Sequence, residues 1–109
     1  NLLHRAAGLD DTVRRLQAFA AAGADVVFAP GLPDLDTIRQ VAASVPAPLN
    51  VVMSMGNVDL TVAELEAAGV KRISVGGALS RLALAAVRGG ARAMREEGRF
   101  DWVRQAIPT

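Results

Sequence analysis

The sequence contains no cysteine, a single histidine and few aromatic residues, 4% in all. Without a thiol there is no disulfide, no zinc–thiolate site and no cysteine nucleophile. The chain also lacks an excess of charge of either sign. Its 12 basic residues face 11 acidic ones, for a net charge of +1, and the two kinds are mixed along its length. That balance gives no electrostatic case for nucleic acid or an anionic membrane as a partner, and a pI near 8.7 does not alter it. No apolar run approaches the ~18 residues of a membrane span. No basic-then-apolar leader precedes the first periodic segment. A cytoplasmic location is therefore expected.

What is present is a 109-residue chain that is 51% hydrophobic, with Ala and Val prominent, as closely packed helices on buried strands require. At ~100–200 residues per domain there is room for one domain only. The chain starts at Asn1 rather than at a methionine, so it reads as processed or as a piece of something longer.

Two kinds of segment alternate. Between Asp10 and Ala22, Val13, Leu16, Phe19 and Ala20 recur at helical spacing, with Asp10 or Asp11 as the expected cap and Gly23 as the stop. Asp25-Val-Val-Phe-Ala29 is too short for a helix and reads as a buried strand ended by Pro30-Gly31. Asp34 or Asp36 opens a second helix carrying Ile38, Val41 and Ala42, closed by Pro46 and Pro48. A second strand spans Leu49 to Ser54. Thr61-Val-Ala-Glu64 is a capping-box pattern whose helix ends at Gly69. A third strand, Val70 to Val75, leads into Gly76-Gly77. A longer helix follows from about Ser80 to Glu97, in which Gly89-Gly90 marks a kink or a close contact. Gly98 ends it, and a last short helix is expected over 100–107. Strands separated by helices imply βαβ units, with parallel strands and right-handed crossovers.

Three strands pose a problem of size. A complete β/α barrel needs eight strands and about 250 residues. The chain is thus either a compact open α/β domain or part of a barrel, and periodicity does not separate the two. Small residues cluster at each strand's C-terminal end, where α/β folds bind ligands: Ala29-Pro30-Gly31, Ser54-Met55-Gly56-Asn57 and Gly76-Gly77-Ala78.

The run from Asp10 to Phe19, then Ala22-Gly-Ala-Asp-Val-Val-Phe-Ala-Pro-Gly31, Pro48-Leu-Asn-Val51, and Glu64-Leu-Glu-Ala-Ala-Gly-Val-Lys-Arg-Ile-Ser-Val-Gly-Gly-Ala78 closely resemble the C-terminal part of the isocitrate lyase / phosphoenolpyruvate mutase superfamily. The nearest branch is that of phosphoenolpyruvate phosphonomutase-like and oxaloacetate decarboxylase-like members. The resemblance covers essentially the whole chain. Ala-Gly-Ala-Asp is common among α/β proteins, whereas Val70 to Ala78 together with Ala29-Pro30-Gly31 is much more specific. It implies an α/β fold made of about three βα units of a TIM-type barrel, with 1–109 as one partial domain and 99–109 as a terminal helix exchanged between subunits of a homo-oligomer. Phe100 and Trp102 in that segment either anchor a neighbour or cover the chain's own surface.

By the same resemblance the intact protein uses Mg²⁺ on a small carboxylate substrate, a 2-oxo acid or a phosphoenolpyruvate-like compound, through an enolate-like intermediate. The family's Asp-x-Asp metal segment, Lys-x-Cys-Gly loop and Arg motif are absent here, so the catalytic residues are expected upstream of Asn1 and this chain alone is expected to be inactive. Pro30 stands where the lyase branches carry a Glu, which argues against a lyase acting through that carboxylate. Substrate contacts are expected from Pro30, Gly31, Met53, Ser54, Ser74, Gly76 and Gly77, with Met53 or Ser54 preferred to Asn50 on the second strand. Each has a plainer reading as a turn former: Pro30-Gly31 as a turn, Gly76-Gly77 as a tight βα connection.

His4 precedes every periodic segment, and an exposed position is expected for it. Asp34 and Asp36 read as caps rather than an acid/base pair. Glu64 and Glu66 face different ways on a helix, and Glu96-Glu97 forms a solvated helix end. The competing function is a non-catalytic α/β module that binds or oligomerises to cover its sheet edges.

Overall fold

A computed structural model describes residues 8–108; His4 lies outside them. The chain divides into two compact units, one up to Gly76 and one from Gly77 on. In the first unit, α1 (Leu9–Ala21), β1 (Val27–Phe28), α2 (Leu35–Ser44), β2 (Leu49–Val52), α3 (Val62–Ala67) and β3 (Arg72–Ser74) follow one another. The strands form one parallel sheet in the order β1-β2-β3. The expected alternation is therefore present, with every strand shorter than its apolar run because only the paired residues form a ladder.

The register decides which side chains share a face. Val27 pairs with Leu49 and Phe28 with Asn50, while Asn50, Val51 and Val52 pair with Arg72, Ile73 and Ser74. Alternation along a strand then puts Val27, Leu49 and Val51 on one face and Phe28, Asn50, Val52, Arg72 and Ser74 on the other. The first set joins Leu16, Ile38, Val41 and Leu65 in the buried core. Helix α1 packs on β1, α2 packs on β2, and α2 also touches α1 and α3. Right-handed crossovers place α2 and α3 on the same side of the sheet. Gln17 adds a polar tie, its Nε2 donating to the Ser44 carbonyl at 2.8 Å.

Local chemistry explains the helix ends. The Asp34 side chain accepts from the Thr37 N–H at 2.8 Å, and Thr61 with Glu64 completes the capping box. Both match the sequence reading. Asp10 and Asp11, expected as caps, instead occupy the first turn of α1, where their charge still opposes the positive helix end; Gly8 holds the cap position without a side-chain bond. Gly69 has φ of +91°, and an added Cβ would sit 3.3 Å from the Ala42 side chain. Only glycine turns the chain there without strain.

The second unit contains α4 (Ala78–Arg92), a π-helical turn over Ala93–Glu97 and a 3-10 helix over Asp101–Gln105. The long helix thus starts earlier than expected and changes its hydrogen-bond period over its last turn. Gly98, in the left-handed region at φ +62°, ends it. Gly90 is the residue of α4 that is buried, and the Trp102 ring lies against it. The close contact expected at Gly89-Gly90 is this one, so Trp102 covers its own unit. Phe100 remains exposed.

Candidate functional site

The helices of the first unit cover one face of its sheet and leave the other with Phe28 44% exposed and Arg72 open to solvent. This open face carries a polar row. Asn50, only 2% exposed, is flanked in register by Phe28 and Arg72. Its Nδ2 donates to Ser74 Oγ at 3.1 Å and its Oδ1 accepts from Arg72 Nε at 3.0 Å. Both ends of the amide are therefore engaged, which fixes its orientation and satisfies a polar group that would be costly to bury alone.

The strand ends above this row hold the other candidates. Met53 N donates to the Ser74 carbonyl at 2.8 Å, extending the ladder by one bond and bringing Met53 beside Ser74. Ser54 is exposed, and its N–H donates to Asn57 Oδ1 at 2.8 Å. Asn57 is 6% exposed and donates through Nδ2 to the Val52 carbonyl at 3.1 Å. It staples the β2–α3 loop, the turn-forming role open to it in the sequence. Gly76 closes the first unit at φ +51°, and Gly77 opens the second, its carbonyl accepting from Arg81 N at 3.0 Å.

Pro30 and Gly31 lie elsewhere, in a cavity of about 490 Å³ between the first turns of α1 and the β1–α2 loop. Its walls include Asp11, Arg15, Phe19 and Phe28. Asp11 is bonded to Arg14 and to Arg15, the latter at 2.7 Å, and the Arg15 bond, with that to Arg14, holds its carboxyl below the usual carboxylate range. The two charges satisfy one another, so the cavity presents mainly apolar wall along the outer edge of β1. The expected contact residues thus fall in two places: Pro30 and Gly31 in the cavity, Met53, Ser54, Ser74 and Gly76 at the ends of β2 and β3. Asn50 and Arg72 were not among them. Their signal was the bare alternation of polar and apolar residues in each strand, which shows a side only once the register is known.

Among the described residues no group of three or more His, Asp or Glu gathers closely enough to hold a metal ion. The residues described do not fit a Mg²⁺ site. No helix among them is long and apolar enough to cross a membrane.

Comparison with known proteins supplies context for this geometry. The family model for phosphoenolpyruvate phosphomutase matches residues 1–95. A solved structure of a candidate lyase/mutase from Burkholderia cenocepacia J2315 superposes with a TM-score of 0.90 at 50% identity, covering 97% of this chain and 38% of the other. A 2,3-dimethylmalate lyase, a member of the phosphoenolpyruvate mutase/isocitrate lyase superfamily, gives 0.79 at 28% identity, covering 95% and 38%. An oxaloacetate acetylhydrolase in complex with oxalate gives 0.79 at 25% identity, covering 95% and 35%. No curated protein sequence matches the chain. The chain spans little more than a third of the length of these solved relatives.

Proposed function

The chain belongs to the phosphoenolpyruvate phosphomutase family, within the phosphoenolpyruvate mutase/isocitrate lyase superfamily, and on that premise we propose that it is one part of a Mg²⁺-dependent enzyme acting on a small 2-oxo acid or a phosphoenolpyruvate-like carboxylate. The fold it contributes is α/β, three parallel βα units of a TIM-type barrel. The observation that carries the reading is the open sheet face. In a barrel the helices lie outside and the strands turn their other face to the interior, with substrates bound at the C-terminal ends. Asn50, Val52, Arg72 and Ser74 stand on that face, with Asn50 and Arg72 near the starts of β2 and β3 and Ser74 at the end of β3. A parallel sheet is ordinarily covered on both faces, so a face left open supports a sheet completed by further strands of a barrel.

Metal dependence belongs to the whole protein, since the described residues do not fit a metal site. Cleavage beside a carboxylate leaves an enolate-like oxyanion, and hydrogen-bond donors fixed in advance stabilise such charge. The part played by this chain is to bind and orient: Met53, Ser54, Ser74 and Gly76 shape the ends of two strands, and Pro30 and Gly31 shape the end of the third. Pro30 supplies no carboxylate, so any general acid or base at that strand end comes from elsewhere in the protein. Self-association through residues 99–109 forms part of the same proposal, and the mass of the intact protein in solution tests it: a monomer would contradict it.

The direct test is a substrate panel on the intact protein carrying this sequence. Oxaloacetate, 2,3-dimethylmalate and phosphoenolpyruvate are offered with and without Mg²⁺. Mg²⁺-dependent cleavage or rearrangement of one of them is expected. Inertness toward all three would overturn the assignment.

A further inference from the structure

The open face of the sheet carries one cation among the described residues, and its place in the fold decides what can neutralise it. Arg72 is the first residue of β3, two before Ser74, which ends the strand. Its register partner Asn50 stands two residues before Val52, the last residue of β2. Both lie toward the starts of their strands, away from the C-terminal ends where a barrel takes its substrate.

The guanidinium is held but not neutralised. Its Nε donates to Asn50 Oδ1 at 3.0 Å, and Asn50, 2% exposed, is fixed in turn by its own donation to Ser74 Oγ at 3.1 Å. The terminal nitrogens make no hydrogen bond or ion pair among the described residues. Phe28, Val52 and Ser74, which share the face, bring no charge. Lys71 adjoins Arg72 in the chain and Asp25 precedes β1; both are exposed, and neither forms an ion pair among the described residues.

The interior of a β/α barrel is a packed core rather than a pore. Once the remaining strands close over this face, the head group of Arg72 leaves water, and an unpaired charge in such a place is expensive. The three strands described hold no anion to meet it, so the counter-charge comes from another strand. Two parallel N–H donors at the end of a planar fork match a carboxylate in a bidentate pair. We propose that Arg72 anchors a buried ion pair tying this part of the barrel to the rest. Its partner is an Asp or Glu directed inward from a strand outside these 109 residues, and Asn50 sets the plane of the fork. This rests on the barrel fold of the intact protein and not on its substrate.

Melting temperatures of the intact protein and of its Arg72→Met variant, taken at pH 5 and pH 8, test the pair. Losing the cation leaves a carboxylate alone in the core, where burial raises its pKa. The folded variant then holds a proton more tightly than the unfolded chain, so its stability falls as the pH rises. In the unaltered protein the arginine keeps the carboxylate ionised, and it makes no such contribution in this range. The variant is expected to melt roughly 6–10 °C lower at pH 8, with the gap shrinking to about half of that or less at pH 5. A gap equal at the two pH values, or no gap at all, would show that water or backbone carbonyls meet the guanidinium, and would overturn the proposal. If Arg72→Met folds at neither pH, Asn50→Asp decides. A carboxylate placed beside Nε lowers the melting temperature where the fork already holds one, and raises it where the cation is unpaired. A raised or unchanged value overturns the pair. The readout is thermal and so stands apart from activity. A gap that widens with pH in a protein inert toward every substrate offered keeps the pair and removes the enzymatic reading. An equal gap in an active enzyme does the reverse.

Discussion

Asn50 lies near the start of β2 and Asn57 in the loop beyond its end, and their amides do different things. Asn57 closes its own loop, accepting from Ser54 N and donating to the Val52 carbonyl. Asn50 reaches across to the neighbouring strand, where it meets Ser74 and Arg72. Replacing Asn57 with Ala leaves the part-buried Ser54 N–H and Val52 carbonyl without their partner, so a loss of about 1–3 kcal/mol is expected. Urea denaturation of the variant measures it, and a loss well under 1 kcal/mol would show that water replaces the amide. The sequence made both asparagines visible as polar residues beside a strand, and it favoured Met53 or Ser54 over Asn50 as the one facing a ligand. Which of them shares a face with Ser74 and Arg72 depends on cross-strand register, a tertiary property. Ser54 spends its backbone N–H on the loop, and its side chain looks to solvent.

At the scale of elements, caps and turns were legible because their chemistry is local. Asp34 and the Thr61–Glu64 box need only a few consecutive residues to be recognised, and both are present. The Thr37 N–H lowers the Asp34 pKa from its ordinary 3.8, and the Thr61 N–H lowers that of Glu64 from 4.5. The unfolded chain therefore takes up these protons more readily than the folded one. The stabilisation is fully present above the ordinary values and is lost as the pH falls through the depressed ones. Denaturation midpoints followed into acid should fall in this window, and less steeply for Asp34→Ala, which has no capping carboxylate to protonate. Equal steepness in the two proteins would remove Asp34 from the acid response.

The end of α4 was less legible. Nothing local announces a π-helical turn at Ala93–Glu97, and the contact of Gly90 with Trp102 joins residues on separate elements. Two neighbouring glycines there behave differently. A Cβ at Gly89 would meet open space, whereas one at Gly90 would lie 3.2 Å from the Trp102 ring. Gly89→Ala should stabilise by roughly 1 kcal/mol, the helix-propensity difference. Gly90→Ala should forfeit that gain against a displaced indole and shift the tryptophan emission to longer wavelength. An emission spectrum unchanged in Gly90→Ala would mean that the ring does not rest on Gly90.

At the scale of the whole molecule, the first unit is a sheet whose own helices cover one face and leave the other without a helix of that unit. The order of elements was readable from the alternation of short apolar runs with amphipathic stretches, and so was their parallel arrangement. Periodicity alone left undecided whether three strands form an open domain or part of a barrel, since both fill the same core with Leu16, Val27, Ile38, Val41 and Leu49. The open face and the solved relatives, about two and a half times as long as the chain, decide for the barrel. A barrel site is assembled from the ends of many strands, and this chain supplies the ends of three of them.

Turnover by the 109-residue chain, set beside that of the intact protein on the same 2-oxo acid with Mg²⁺, tests this most directly. The intact protein should consume the substrate and the purified chain should not. Robust Mg²⁺-dependent turnover by the 109 residues alone would contradict the account, because every catalytic group would then have to lie within them.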